Sequence, residues 1–445
     1  MSRREIVAGA APTLAGTASR GRVAAATGSE PSARRPLPAS FLWGTAISAH
    51  QSEGNNIHSD AWLLENLPST VFKDPSGDAC DSYNRYEEDI SLAAELGFNC
   101  YRIGIEWARI EPEPARFSQA ELDHYVRVLE TCRKHGLAPI LTYSHFTVPL
   151  WFAQRGGFEV ADGADLFARF AGRATDALGD LIGMASTFNE ANIPLLLKLL
   201  RAGRSKADAD AVKSMIAAAA QATSSPEFSS LLFADPDRTQ PVLLDAHAKA
   251  QAAIKASTGD FPVGVTLSMQ SVEAVGPNSL APIVEDAMYG GWIEAAKASD
   301  FVGVQTYTRI RVGDHGALPA PEGAEMTAAG YEYYPPALGD TIRLAARLIG
   351  KPIYVTESGI ATDDDARRIA FIDATIEEVR RCIDEGIPVH SYMYWSLLDN
   401  FEWTKGYGER FGLVSVDPKT FARTPKPSAL HLGERARPWA PARRR

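Results

Sequence analysis

Ile182-Gly183-Met184-Ala185-Ser186-Thr187-Phe188-Asn189-Glu190 is an apolar run that closes on an amide and a carboxylate. Farther along, Pro352-Ile353-Tyr354-Val355-Thr356 closes in the same way on Glu357-Ser358-Gly359. Short runs without polar alternation read as strands of a parallel sheet buried on both faces. A glutamate at such a strand end has two readings. It is an isolated polar terminus, or it is half of a carboxylate pair facing a cleft, the minimum equipment for glycoside hydrolysis.

Working outward, similar runs lie at Leu42–Ala46, Cys100–Ile105, Ala138–Tyr143, Met184–Asn189, Pro262–Leu267, Phe301–Thr306, Pro352–Thr356 and Ser391–Trp395. Between them are amphipathic helical segments: Tyr83–Leu96, Gln119–His135, Leu166–Leu181, Asp245–Ser257 and Asp364–Glu385. In the last of these, Ile369, Ile372, Ile376, Val379 and Ile383 recur at steps of three and four. Gly97, Gly136 and Gly386 follow three of the helices, where a left-handed cap belongs. The pattern predicts an α/β fold, a single (β/α)8 TIM barrel without an internal linker. The interval of about 70 residues after the fourth strand is too long for a bare loop, so an extended insertion with its own helices is expected there.

Composition agrees with a large soluble core: 445 residues, 45% hydrophobic and 22% charged. A net charge of −10 argues against a nucleic-acid or anionic-membrane partner, which would want a basic face. Cys80, Cys100, Cys132 and Cys382 are scattered, with no metal or redox spacing. Buried free thiols are the plainer reading for Cys100 and Cys132, with a disulfide left open for an exported protein. Residues 1–35 form a separate leader. Arg3-Arg4 precedes the mildly apolar Ile6–Ala11, and Val23-Ala24-Ala25-Ala26 offers small residues for cleavage. This resembles a twin-arginine export signal and predicts a periplasmic or secreted protein; a disordered Ala/Arg-rich tail on a cytoplasmic one is the alternative. The leader is too short and interrupted to span a membrane. The barrel is expected over 36–430, with 431–445 a basic, flexible tail.

In a (β/α)8 barrel, chemistry collects at the C-terminal strand ends. Those ends hold carboxylate, amide, imidazole, indole and guanidinium groups. They lack the spacing of a metal site and any Gly-rich phosphate cradle, so no metal or cofactor is expected. Aromatic rings among hydrogen-bonding groups, with two acids, suit a sugar.

The motifs carry a resemblance from Pro38 to Pro427. Phe41-Leu42-Trp43-Gly44, Gln51-Ser52-Glu53-Gly54, Tyr101-Arg102 and Ile105-Glu106-Trp107 are similar to the N-terminal signatures of the family 1 glycoside hydrolases, the β-glucosidase family. The strongest match is Trp395-Ser396-Leu397-Leu398-Asp399-Asn400-Phe401-Glu402-Trp403, followed by Arg410-Phe411-Gly412-Leu413. The resemblance implies a retaining β-glycosidase, most simply a β-glucosidase acting on a small-molecule β-glycoside. Glu357 would be the nucleophile and Glu190 the acid/base, their carboxyl groups about 5–5.5 Å apart. Arg102 and Tyr307 would hold Glu357 ionised, and Asn189 would bind the sugar 2-hydroxyl. Gln51, His145, Glu402 and Trp403 would grip the remaining hydroxyls, with Trp395 the platform beneath. The charge of Glu357 would keep Glu190 protonated. Trp43, Trp62 and Trp107 read as core.

The sequence also departs from the family pattern. Ala191 stands where proline follows the acid/base, Ser358 where asparagine follows the nucleophile, Gln305-Thr306-Tyr307 where Asn-Tyr-Tyr is usual, and Phe146 where tryptophan is common. The segment Ile193–Leu200 is markedly apolar. Its leucines would pack the insertion down; the alternative is an apolar aglycone site at Phe146, Leu195 and Leu196 for terpenoid, steroid or aromatic glycosides. Two other functions stay open: a catalytically silent sugar-binding barrel, which predicts loss of a carboxylate, and a transglycosidase using the same covalent intermediate. Oligomeric state and gluco- or galacto-preference are not legible.

Overall fold

The computed structural model describes residues 36–201 and 205–439. The leader lies outside the described residues. Eight strands close into a parallel barrel: β1 (Leu42–Ala46), β2 (Cys100–Gly104), β3 (Ala138–Ser144), β4 (Met184–Phe188), β5 (Val263–Ser268), β6 (Val302–Gln305), β7 (Ile353–Ser358) and β8 (Val389–Trp395). Each pairs with its neighbour in chain order, and β8 returns to β1 with Leu42 opposite Ser391 and Ala46 opposite Trp395. The eight expected runs are these eight strands, with ends shifted by a residue or two. β2 and β4 are buried along their whole length, which explains the missing polar alternation. Cys100, Ile140, Met184 and Met393 form one buried cluster, filling the barrel with side chains as this fold requires.

β2, β3 and β8 are each reached from the preceding helix through a glycine turn. Gly97, Gly136 and Gly386 all have positive φ there, as expected. Gly359, just beyond β7, has a different role: a Cβ on it would collide with the Trp395 carbonyl. Its bare backbone lets the ends of β7 and β8 approach where the site is built.

The insertion after β4 contains two extra helices, Ile193–Arg201 and Lys206–Ala222. The outer helix that follows starts at Pro236 and not at Asp245. Asp235 caps it, accepting from the Asp237 N–H at 3.0 Å, and Pro236 occupies the first turn where its missing N–H does no harm. Pro241 lies inside this helix, ahead of the stretch whose spacing predicts a helix from Asp245.

Three expectations need correction or refinement. Of the tail expected over 431–445, residues 431–436 are helical: Pro427–Ala436 is the eighth outer helix of the barrel, with Ala429, Leu432, Gly433 and Ala436 buried. His431 and Arg435 both reach Asp373 at 2.8 Å, and the Ser428 N–H donates to Asp365 at 2.7 Å. The basic composition masked an apolar stripe at helical spacing. Trp43 and Trp107 are core, but Trp62 is only half-buried. All four cysteines are buried and free, including Cys80 and Cys382. Among the described residues, no helix is long and apolar enough to cross a membrane.

Candidate active site

At the C-terminal end of the barrel lies a cavity of about 550 Å³, lined by Gln51, His145, Asn189, Glu190, Tyr307, Glu357, Trp395, Glu402 and Trp403 among others. Glu190 leaves β4 with φ 43°, and its N–H donates to Thr266 Oγ1 on β5 at 3.1 Å. Phe146 (φ 75°) and Trp403 (φ 49°) also take left-handed backbone at this cavity. Such a conformation costs a non-glycine residue about 1–3 kcal/mol and persists only where the surroundings impose it, most often at functional sites.

Glu357 is held from three sides. Arg102, in the middle of β2, donates through Nη1 to Glu357 Oε1 at 2.5 Å. Tyr307 OH donates to Oε2 at 2.7 Å, and Gln305 Nε2 donates to Oε1 at 3.0 Å. Arg102 Nη2 and Gln305 Nε2 also converge on Asn189 Oδ1, at 2.6 and 2.8 Å. The Asn189 carbonyl is thereby engaged, leaving its amide hydrogens as its donors. Arg102 is 1% exposed and sits behind Glu357, outside the cavity lining.

The two glutamates divide one proton unequally. Burial, and secondarily the charge of Glu357, push Glu190 up to about 8. The expectation that the neighbouring charge would dominate needs revising, because loss of solvation is the larger cause. Burial raises Glu357 too, opposed by the Arg102 charge and by donation from Tyr307. With three donors on Glu357, it is the ionised member and Glu190 the protonated one at neutral pH.

A second cluster lies across the cavity. Ser48 Oγ donates to Gln51 Oε1 at 2.7 Å, which orients that amide. Gln51 Nε2 then donates to the Phe401 carbonyl at 2.8 Å and to Glu402 at 3.3 Å. Trp395 Nε1 donates to the other Glu402 oxygen, also at 3.3 Å. Burial raises Glu402 well above the usual carboxylate range, with the Glu409 and Glu357 charges adding. His145 stacks on Trp395 (5.6 Å, 24°) and Trp403 (6.5 Å, 13°). Burial, then the Arg102 charge, hold its imidazole well below its ordinary value and therefore neutral. A neutral imidazole both donates and accepts, as sugar hydroxyls require.

Phe146 and Leu196 line the cavity, but Leu195 does not. The Ile193–Arg201 segment is helical, so successive residues diverge: Leu195 and Leu199 pack on the protein core. Among residues the sequence reading missed, Gln305 was visible only as a departure from a pattern. Tyr331, also in the lining, lies 6.3 Å from the Tyr307 ring in a stretch without helical or strand periodicity. His50 stacks behind Trp403 at 5.5 Å and 11°, which the spacing of Ala49-His50-Gln51 gave no reason to expect. No group of three or more His, Cys, Asp or Glu residues suited to a metal occurs among the described residues.

This architecture has close counterparts among known proteins. The model of glycosyl hydrolase family 1 matches residues 33–287 and 296–437. The chain belongs to glycosyl hydrolase family 1. The matched segments contain both glutamates and every side chain named above; the unmatched stretch 288–295 falls inside the outer helix Ala281–Ala298. The apo structure of β-glucosidase 1317 is similar, with TM-score 0.87 and 46% identity over 90% of this chain and 99% of that one. The β-glycosidase BGL167 gives TM-score 0.87 and 47% identity over 92% and 99%. β-Glucosidase A of Thermotoga maritima is 28% identical over 88% of this chain and 96% of its own length. The family 1 barrel thus rests both on the strand topology and on these similarities.

Proposed function

We propose that this family 1 enzyme is a retaining β-glucosidase that works through Glu357 as nucleophile and Glu190 as acid/base. The observation that carries the reading is the unequal treatment of the two carboxyls: three donors on Glu357, and a buried, proton-bearing Glu190 lining the same cavity. In the first step, a Glu357 oxygen bonds to the anomeric carbon as the glycosidic C–O bond breaks. Glu190 delivers its proton to the departing oxygen, so the aglycone leaves as a neutral alcohol. Once Glu357 is esterified its negative charge is gone, and Glu190 is then the stronger acid and able to act as base. Glu190 next takes a proton from water, whose oxygen bonds to the anomeric carbon while the ester bond breaks. Two inversions give net retention.

The supporting groups have separate tasks. Arg102, Tyr307 and Gln305 keep Glu357 ionised and oriented. Asn189, its carbonyl already engaged, offers N–H to the 2-hydroxyl, a contact that strengthens as positive charge develops on the ring. Gln51, His145, Glu402 and Trp403 bind the other hydroxyls, and Trp395 supports the ring face.

The test is turnover of 4-nitrophenyl β-D-glucoside, with Glu357→Ala inactive and rescued by azide to give the α-glucosyl azide. Wild type without activity on any β-glucoside, galactoside or fucoside would instead support a silent sugar-binding barrel.

A further inference from the structure

Resting on that glycosidase reading, we infer that the cavity beyond Glu190 is built for an uncharged, hydrocarbon-rich alcohol as the leaving group, not for a second sugar. The helix Ile193–Arg201 starts in the turn that carries Glu190, with the Ile193 N–H donating to the Glu190 carbonyl at 2.7 Å. Ile193, Leu196, Leu197 and Leu200 line the cavity, at the i, i+3, i+4, i+7 spacing of one helical face. Leu195 and Leu199, on another face, already pack the helix onto the core. Leu196 is itself buried in that core and Ile193 packs against it, but Leu197 and Leu200 are not part of it and border the place where the leaving group must lie.

Other elements extend the same apolar wall. Ile310 and Leu318, from the sheet that brings Ser271–Ala274, Arg309–Gly313 and Gly316–Leu318 together, and Met326 also line the cavity. Leu200, Leu318 and Met326 are 47%, 39% and 50% exposed, so large apolar side chains are held in solvent around this mouth. A concentration of exposed apolar surface at one opening marks a binding site.

The two arginines there are matched internally. Arg309 donates to Glu332 at 2.7 and 2.9 Å and meets Glu273 at 2.8 Å. Arg311 donates to the Pro319 carbonyl at 3.2 Å and to Glu273 at 3.3 Å. An anionic leaving group would have to displace those carboxylates. Ser268, Gln270 and Thr308 also line the cavity, but a second sugar would still place hydroxyls against leucine and methionine side chains, and a hydroxyl buried without a partner is costly. A hydrocarbon skeleton has neither difficulty. The cavity volume of about 550 Å³ is that of a site for a glucosyl unit joined to a sizeable aglycone.

The experiment compares kcat/KM for octyl β-D-glucoside, kept below its micelle concentration, with methyl β-D-glucoside and cellobiose. Octyl glucoside should exceed both at least tenfold. In Leu197→Asn/Leu200→Asn, the octyl-to-methyl ratio should fall towards one, and a ratio within one preparation is independent of the folded fraction. Calorimetric binding of octyl and methyl 1-thio-β-D-glucosides gives a readout that needs no turnover, again with at least tenfold preference for octyl. Equal efficiencies and equal affinities for the two chain lengths, or cellobiose as the best substrate, would overturn the inference. Tight octyl binding without turnover of any β-glucoside would keep the apolar site and overturn the glycosidase reading instead.

Discussion

Gln305 Nε2 lies 3.0 Å from Glu357 Oε1, and the same nitrogen lies 2.8 Å from Asn189 Oδ1. One side-chain amide therefore couples the reacting carboxylate to the residue assigned to the 2-hydroxyl. Hydrogen bonds to charged groups contribute about 1.5–3 kcal/mol. Gln305→Leu should lower kcat/KM for 4-nitrophenyl glucoside by roughly 10- to 100-fold. Removing a donor from a carboxylate raises its pKa, so the acidic limb of the pH–rate profile should move to higher pH. A rate loss with an unmoved acidic limb would mean that Gln305 acts through Asn189 alone.

Replacing Glu190 should separate substrates by leaving group. General acid catalysis contributes about 10²- to 10⁴-fold, but a good leaving group needs little of it. Glu190→Gln should depress kcat/KM for alkyl glucosides by a factor in that range while sparing 2,4-dinitrophenyl glucoside far more. In wild type, the proton donor is lost as pH rises through about 8, so activity should decline on that side. The variant should lack this basic limb with the activated substrate. Equal losses for both leaving groups would remove Glu190 from the acid role.

The same carboxyl should shape stability. Its native value of about 8 exceeds the ordinary 4.5, so the native state holds the proton more tightly than the unfolded chain. Its contribution is full below about 4.5 and is lost progressively as pH rises through 8. Glu190→Gln should therefore melt higher than wild type by a few degrees at pH 8, with the gap narrowing towards pH 5. Scanning calorimetry at the two pH values checks this. A gap independent of pH would point to altered packing.

Arg102→Met should be damaging in a pH-dependent way. Arg102 is 1% exposed and its partner Glu357 is 3% exposed, so the substitution strands a buried carboxylate. Breaking such a pair costs about 3–5 kcal/mol. Glu357 escapes by taking a proton, which removes the nucleophile but relieves the buried charge. Loss of Tm should thus be larger at pH 8 than at pH 5, with activity low at both. Similar Tm losses at both values would mean that packing, not charge, dominates.

Much of this site was readable before any fold was known. Parallel strands of a closed barrel are buried on both faces, so they appear as uninterrupted apolar runs such as Met184–Phe188. Their C-terminal ends must meet at one rim. That combination brings Glu190, Tyr307, Glu357 and Trp395 together from distant parts of the chain. The C-terminal helix escaped because four small or apolar positions among basic residues make a weak stripe, one that matters only against the helices already in place.

Side-chain direction and solvent exclusion are tertiary properties. Nothing local distinguishes Leu195 from Leu196; the angle at which their helix docks leaves Leu195 half-buried against the core, and buries Leu196 where the core meets the cavity. Nothing local marks Gln305 as shared between Asn189 and Glu357 either. Nor does residue type assign the proton, since Glu190 and Glu357 are the same acid. The ordered apolar runs of the chain specified a (β/α)8 barrel with two carboxyls at its rim. Which carboxyl is charged was decided by the fold, because burial and the number of converging donors exist only once the strands have closed.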